Sequence, residues 1–362
     1  MPMKNNRARR VSTVLATAVV AFTTMASAHV ASTGTAAAAD PVGSAALPDP
    51  VGSSASGGNA DGAADGTVES PLIPPAAWDR AENVIGRISG KELGIAAMDR
   101  RECTPITAIH VPGSGETNEQ RDPDVPHGRV VAGLGHDLTA EFGDDVRNLY
   151  LPYVSDAFLT TSYESSAAAG LGRFAELVAA VDAACPGTDF VFTGYSQGAD
   201  ILNAWVAGGA SSLHPDRVKA MALFGNPRRG ADVAVAHGTA PADSEGIFGP
   251  HEGSWGEFAD RILDSCNTGD LWCDSTPAMR RIGPSIMSAS LNPKDAAGAR
   301  NAAAAIVGPE GMADPETRTA VEALLRFLLS QSHDHIQYEN ELDGAPSARA
   351  EARQFLAEKL AR

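Results

Sequence analysis

The stretch that most constrains this chain is Thr193-Gly194-Tyr195-Ser196-Gln197-Gly198-Ala199. An apolar run, Asp189-Phe190-Val191-Phe192, enters it, and a helix-like run, Asp200 to Val206, leaves it. Strand, G-x-S-x-G, helix is the context of a nucleophile elbow. A turn this tight has no room for side chains two residues either side of the serine, and glycine removes the Cβ at both places. The serine hydroxyl is then exposed above a helix N-terminus, where developing negative charge is stabilised. The remaining patterns alternate between strand and helix, so the expected fold class is α/β with a central, mostly parallel sheet flanked by helices.

The order of elements follows from periodicity. Thr104 to Val111 reads as the first core strand and ends in Pro112-Gly113-Ser114-Gly115-Glu116-Thr117, a glycine-rich turn where α/β sheets place ligand-binding loops. Val130 to Phe142 reads as a helix, Val146 to Val154 as a strand, and Ser162 to Ala184 as a long helix with Leu171, Phe174, Leu177, Val178 and Val181 on one face. Val218 to Phe224 is the next strand. Residues 228 to 262 read as a loop with Ile247, Phe248 and Trp255 exposed or half-packed, and Ile262 to Cys273 as a short strand running into a turn. Residues 274 to 313 carry no clear period. Helices are expected over Glu316 to Leu329 and from an N-cap at Ser347 to about Leu360.

The N-terminal region has the marks of export. Lys4, Arg7, Arg9 and Arg10 precede an apolar run from Val11 to Met25, and Ala26-Ser27-Ala28 and Ala37-Ala38-Ala39 both fit a small-residue cleavage site. Residues 1–39 are therefore expected to be a signal peptide, and residues 40–72, rich in Ala, Gly, Ser and Pro, a disordered linker. Residues 73–362 form the expected folded domain, opening with a short helix near Trp78 to Ile85. A net charge of −17 argues against nucleic acid as a partner, which requires a basic face. Four cysteines in an exported chain suggest two disulfides. Cys266 and Cys273 are close enough to clip a local loop, which leaves Cys103 for Cys185; chain entropy assigns about 4–5 kcal/mol to the long loop and about 2 kcal/mol to the short one. A zinc site is the rival use, but the spacing is wrong and no histidine is near, so no metal and no cofactor are expected.

A serine nucleophile needs a base, and the base needs an orienting carboxylate. In α/β-hydrolase folds the chain order is Ser, Asp or Glu, then His. Of nine histidines, only His333 and His335 come far enough downstream; His251 precedes the best aspartate. That aspartate is Asp270, inside Cys266-Asn267-Thr268-Gly269-Asp270-Leu271-Trp272-Cys273, where a clipped loop would hold it rigidly. Asp264 and Asp274 are the alternatives.

Together these residues resemble the cutinase family of secreted serine esterases, and in particular its larger actinobacterial lipid-esterase members. Gly194-Tyr195-Ser196-Gln197-Gly198 is similar to the family's G-Y-S-Q-G. Cys185 precedes Ser196 by eleven residues and Cys103 precedes Ser114 by eleven, as in the family's first disulfide framework. Cys266 through Cys273 resembles the second, with the catalytic aspartate inside, and His335-Ile336-Gln337-Tyr338 is similar to its H-x-x-Y. The resemblance, covering about Cys103 to Leu360, implies an α/β-hydrolase (cutinase-like) fold with Ser196 as nucleophile, His335 as base and Asp270 as orienter. It also implies an oxyanion hole from Gln197 and Ser114. Residues 226 to 265 and the 65 positions between Asp270 and His335 exceed the compact family pattern. With Ile247, Phe248, Trp255, Trp272, Ile286, Met287 and Leu291 they are expected to form either a lid or acyl groove, or extra packing. The implied protein is a monomeric, secreted or wall-associated ester hydrolase that meets an ester or lipid substrate at the cell envelope. Acyl transfer, phospholipase or thioesterase activity on envelope lipids, and a non-catalytic envelope-binding role are the alternatives.

Overall fold

The structure, a computed structural model, describes residues 103–156, 161–208, 213–230, 236–249, 255–287, 315–316, 318–320, 322–323, 333–342 and 344–361. The expected signal peptide, linker and helix near Trp78, as well as His251 and Leu291, lie outside these residues, as do parts of the expected helix over Glu316 to Leu329.

Six strands form one parallel sheet in the order β2-β1-β3-β4-β6-β5. They are β1 (Ile106–Val111), β2 (Val146–Tyr150), β3 (Asp189–Tyr195), β4 (Val218–Phe224), β5 (Ala236–His237) and β6 (Ile262–Ser265). β1, β3 and β4 are almost wholly buried because helices cover both faces. Alternation along the strands sorts the two cores. Ile109, Val111, Phe190, Phe192, Met221 and Leu223 point to the face covered by α2 (Tyr163–Ala184) and α3 (Gln197–Ala207). Ala108, Val191, Ala220, Ala222 and Phe224 point to the face covered by α1 (Arg129–Phe142) and α6 (Ala348–Leu360). This is the α/β-hydrolase layout expected from the sequence.

The helices start where the sequence supplies caps. The Ser162 side chain accepts a hydrogen bond from Ser165 N at 3.1 Å, and Ser347 accepts from Ala350 N at 3.2 Å. The five apolar residues expected on one face of α2 are all buried. Two disulfides pair as expected. Cys103–Cys185 ties the approach to β1 to the end of α2, and Cys266–Cys273 clips the loop after β6.

Three differences from the sequence reading have physical causes. The second strand ends at Tyr150 rather than Val154, because Leu151 N makes the last bond to β1, to His110 O at 2.8 Å, and Pro152 has no N–H to continue the ladder. The segment read as a loop contains edge strand β5, and two of its apolar residues are core rather than exposed. Trp255 (5% exposed) joins the core above α3, and Ile247 packs on Ala278, Met279 and Ile282 of α4 (Pro277–Met287). That helix fell in a stretch with no readable period.

One buried polar group joins three strands. His110 of β1 is fully buried, with Nδ1 2.7 Å from Thr193 Oγ1 of β3 and Nε2 2.9 Å from Asn148 Oδ1 of β2. Burial is the main cause that pulls its pKa down to about 4; the Asn148 hydrogen bond opposes this and His127 adds to it. The imidazole is thus neutral in the folded protein. An unfolded His, with a value near 6.5, takes up its proton first as pH falls, so stability drops between pH about 6.5 and about 4, by about 3 kcal/mol at most. We expect urea midpoints to fall across this window, and the slope to flatten in His110→Asn when both proteins are titrated from pH 7 to 4.

Candidate active site

β3 delivers Ser196 to the turn before α3. Its backbone sits at φ 54° and ψ −116°, and it is the only non-glycine residue with positive φ among the described residues. Such a conformation costs on the order of 1–3 kcal/mol and persists only where the surroundings over-determine it. Here Ser196 N donates to Phe224 O of β4 at 2.8 Å, and Ser196 O accepts from Ala199 N and Asp200 N of α3. Both flanking glycines are required by contact. A Cβ on Gly194 would stand 2.6 Å from Gly198 O, and one on Gly198 would collide with the Val111 carbonyl.

Three elements distant in sequence meet at the serine. His335, on the short helix α5 (His333–Ile336), places Nε2 2.9 Å from Ser196 Oγ and Nδ1 2.8 Å from Asp270 Oδ2. Gly225, at φ 58°, follows β4 and leaves the space: a Cβ there would be 2.9 Å from His335 Cε1 and 3.1 Å from Asp270 Oδ2. Asp270 is fully buried in the disulfide-clipped loop. Its Oδ1 accepts from Trp272 N at 3.0 Å, while Oδ2 also accepts from the Tyr338 hydroxyl at 2.6 Å. The Tyr195 hydroxyl donates to His335 O at 2.7 Å, and its ring stacks on the imidazole. Trp272 closes the other side, its ring 6.0 Å from that of His335.

The alternative aspartates are otherwise engaged. Asp264 is buried against Arg229 Nη1 at 3.0 Å and accepts from Asn226 Nδ2 at 2.6 Å. Asp274 accepts from Gly269 N and closes the turn around Asp270. The side chain of His333 lies outside the described residues. Gln197 heads α3 with a locked side chain, Oε1 accepting from the Tyr153 and Ser166 hydroxyls and Nε2 donating to Tyr163 O. Ser114 is exposed on its loop. The loop packs on the elbow, since a Cβ on the adjacent Gly113 would be 2.9 Å from Tyr195 Cδ1. Among the described residues, no three His, Cys, Asp or Glu side chains are grouped to hold a metal ion.

Sequence reasoning missed the role of Tyr338. Burial, then the charge of Asp270, push its phenol well above the ordinary value, so it stays protonated and donates. The H-x-x-Y spacing was the signal: it returns a residue three positions after the histidine to the carboxylate that the histidine bonds.

With this geometry in hand, comparison with known proteins decides the family. Residues 103–281 match the family model described as Cutinase. Residues 103–281 belong to the cutinase family. The match takes in Ser114, Ser196, Asp270 and all four cysteines and ends before His335. A cutinase from Kineococcus radiotolerans is 30% identical over 48% of this chain and 53% of its own, so the chain spans about half of that relative's length. Acetylxylan esterase 2 from Talaromyces purpureogenus is 28% identical over 49% of this chain and 78% of its own. Among solved structures, lysin B from a mycobacteriophage is 21% identical, with a TM-score of 0.48, over 70% of this chain and all of the other.

The contact of Tyr338 with Asp270 generates a test. Tyr338→Phe keeps the ring in its core position but leaves one carboxylate lone pair unmet in a buried site. We expect kcat on an ester to fall about tenfold with KM unchanged, measured alongside thermal unfolding.

Proposed function

We propose that this cutinase-family protein is a serine carboxylic ester hydrolase working through an acyl-enzyme. The observation that carries the reading is the continuous hydrogen-bonded line Ser196–His335–Asp270 above a strained elbow. Ser196 Oγ attacks the ester carbonyl while His335 Nε2 takes its proton. The tetrahedral oxyanion is met by the Gln197 N–H and by Ser114. As the C–O bond breaks, His335 returns the proton to the leaving alcohol, and Ser196 remains acylated. Water, deprotonated by His335, then attacks the acyl carbonyl and releases the acid and the free serine. Asp270 holds the imidazole with Nδ1 protonated and balances its charge as it becomes imidazolium.

The substrate class is a lipid or other acyl ester. Half-buried Trp272 stands beside His335, and its ring faces Tyr163 and Phe248 at 6.0 Å each. This gives an apolar wall where the alkyl part of an ester would lie. Of the apolar residues in the long segments, Phe248 and Trp272 thus serve a groove, whereas Ile247 and Trp255 serve packing. The side chains of Ile286 and Met287 lie outside the described residues. The protein would act outside the cell or at its wall after removal of residues 1–39. Two disulfides fit an oxidising compartment. Among the described residues, no helix is long and apolar enough to cross a membrane.

Ser196→Ala is expected to lower kcat/KM for p-nitrophenyl butyrate by at least about 10⁴-fold at unchanged melting temperature; near-wild-type turnover would sink the proposal. Trp272→Ala is expected to cost about tenfold in kcat/KM for an octanoate ester and less than about threefold for an acetate ester. Equal losses on the two chains would remove Trp272 from the acyl side.

A further inference from the structure

The loop proposed to complete the oxyanion hole hangs from β1 by two unequal supports. Its stem is locked to the elbow, because the single Tyr153 hydroxyl proton is shared between Pro112 O at 2.8 Å and Gln197 Oε1 at 3.1 Å. Gly113 is buried against Tyr195, but beyond it the tip has little packing of its own: Ser114 and Gly115 are exposed, and space around a Gly115 Cβ is empty to 4 Å. What holds the tip is a carboxylate. Glu116 Oε2 accepts from Gly113 N at 2.9 Å, and Oε1 accepts from Arg129 N at 3.1 Å. Glu116 N also returns to Gly113 O at 3.2 Å, and Gly115 N donates to Ser155 O at 2.6 Å.

The far end of this clamp is the first residue of α1. That helix has 14 residues, no side-chain N-cap on Gly128 and no acidic residue in its first turn. Its opening N–H groups need an acceptor from elsewhere, and Glu116 supplies one. The helix is fixed by Val130, Val131, Leu134 and Leu138, all fully buried in the core. A loop tied to its N-terminus inherits that rigidity. The tie suits a carboxylate: each N–H meets a different oxygen, and an amide would turn its donor nitrogen toward one of the two N–H groups. Burial raises the proton affinity of this carboxyl, against the two backbone donors and the charge of Arg129.

We infer that Glu116 is a positioning residue for ester hydrolysis, clamping the loop that carries Ser114 to the N-terminus of α1 so that the oxyanion donors are in place before the substrate arrives. The inference rests on the ester-hydrolase reading above. Preorganised donors act on the charge that develops in the transition state and little on the neutral ester. Loosening the clamp should therefore lower kcat and spare KM.

The test uses the full folded protein with p-nitrophenyl butyrate as substrate and an alkyl trifluoromethyl ketone as a mimic of the oxyanion. Glu116→Gln is expected to lower kcat about 10- to 100-fold with KM within about twofold, and to raise the inhibition constant of the ketone by the same factor. Glu116→Asp keeps the charge but is one methylene too short to span both donors, so it should lose as much. In a Ser114→Ala background, Glu116→Gln should cost less than about threefold more, since both changes disable one device. Arg129→Pro removes the other donor while suiting the first position of a helix. It should lower kcat in the same direction, and it provides the measurement if Glu116 variants fail to fold. Wild-type kcat in Glu116→Gln or Arg129→Pro, full activity in Glu116→Asp, or additivity with Ser114→Ala would overturn the clamp. A Ser196→Ala control separates the two readings. Activity in that control removes the esterase reading itself, whereas its loss together with an unaffected Glu116→Gln removes only the clamp.

Discussion

The structure depends on one close approach, the meeting of the elbow backbone with the end of β1. Gly198 sits against the Val111 carbonyl so tightly that a single methyl group would part them. That contact sets how α3 leaves the sheet, and so where Ser196 points. The strained serine is then held from three sides, by Phe224 O of β4, by the first turn of α3 and by the glycine contacts. Backbone strain of this kind is retained only where the neighbours are rigid. Those neighbours are the central strands β1, β3 and β4, buried on both faces. The sheet therefore does more than carry the site: its packing is what keeps Ser196 in an otherwise unfavourable conformation.

Around this rigid centre, less regular segments are fixed by polar bonds rather than by periodic packing. Asp270 lies in a loop, yet its two oxygens meet a backbone N–H, a tyrosine hydroxyl and the imidazole. His335 lies on a four-residue helix, yet its carbonyl is held by Tyr195, and Asn267 Nδ2 donates to the carbonyl of Asp334. Tyr195 precedes Ser196 and Tyr338 follows His335, and their hydroxyls run in crossed directions. The residue beside the serine bonds the histidine's backbone, and the residue three positions after the histidine bonds the aspartate. Removing one member of such a set leaves a buried partner unsatisfied, which costs more than the bond itself contributes.

Much of this was legible in the sequence because the signals were short-range. The elbow glycines, the apolar stripe of α2, the cap at Ser347 and the clipped cysteine pair each declare themselves within a few residues. Chain order then chose Asp270 and narrowed the base to two histidines; His333 or His335 was settled only by the resemblance in H-x-x-Y. What escaped was tertiary. β5 is two residues long and has no period to detect. α4 carries Gly283 and Pro284, poor helix residues, yet Gly283 is where the helix meets the Ile247 carbonyl with no room for a Cβ. Trp255 reads as a loop residue because its burial comes from a core whose other members, such as Phe174, Phe192 and Trp205, lie far away in the chain. Glu116 looked like the end of a turn, since the N–H it serves at Arg129 lies beyond any local motif.

The short disulfide gives the site an order of assembly. Cys266 and Cys273 are seven positions apart, and the segment between them carries Asp270 while its second sulfur lies 3.3 Å from the Tyr338 hydroxyl. The Ser196 turn, by contrast, is shaped by sheet and glycine contacts that involve no cysteine. A chain whose thiols are still reduced can thus form the elbow before the carboxylate is fastened beneath the imidazole. Closing the Cys266–Cys273 disulfide then fixes the loop that holds the carboxylate against the imidazole.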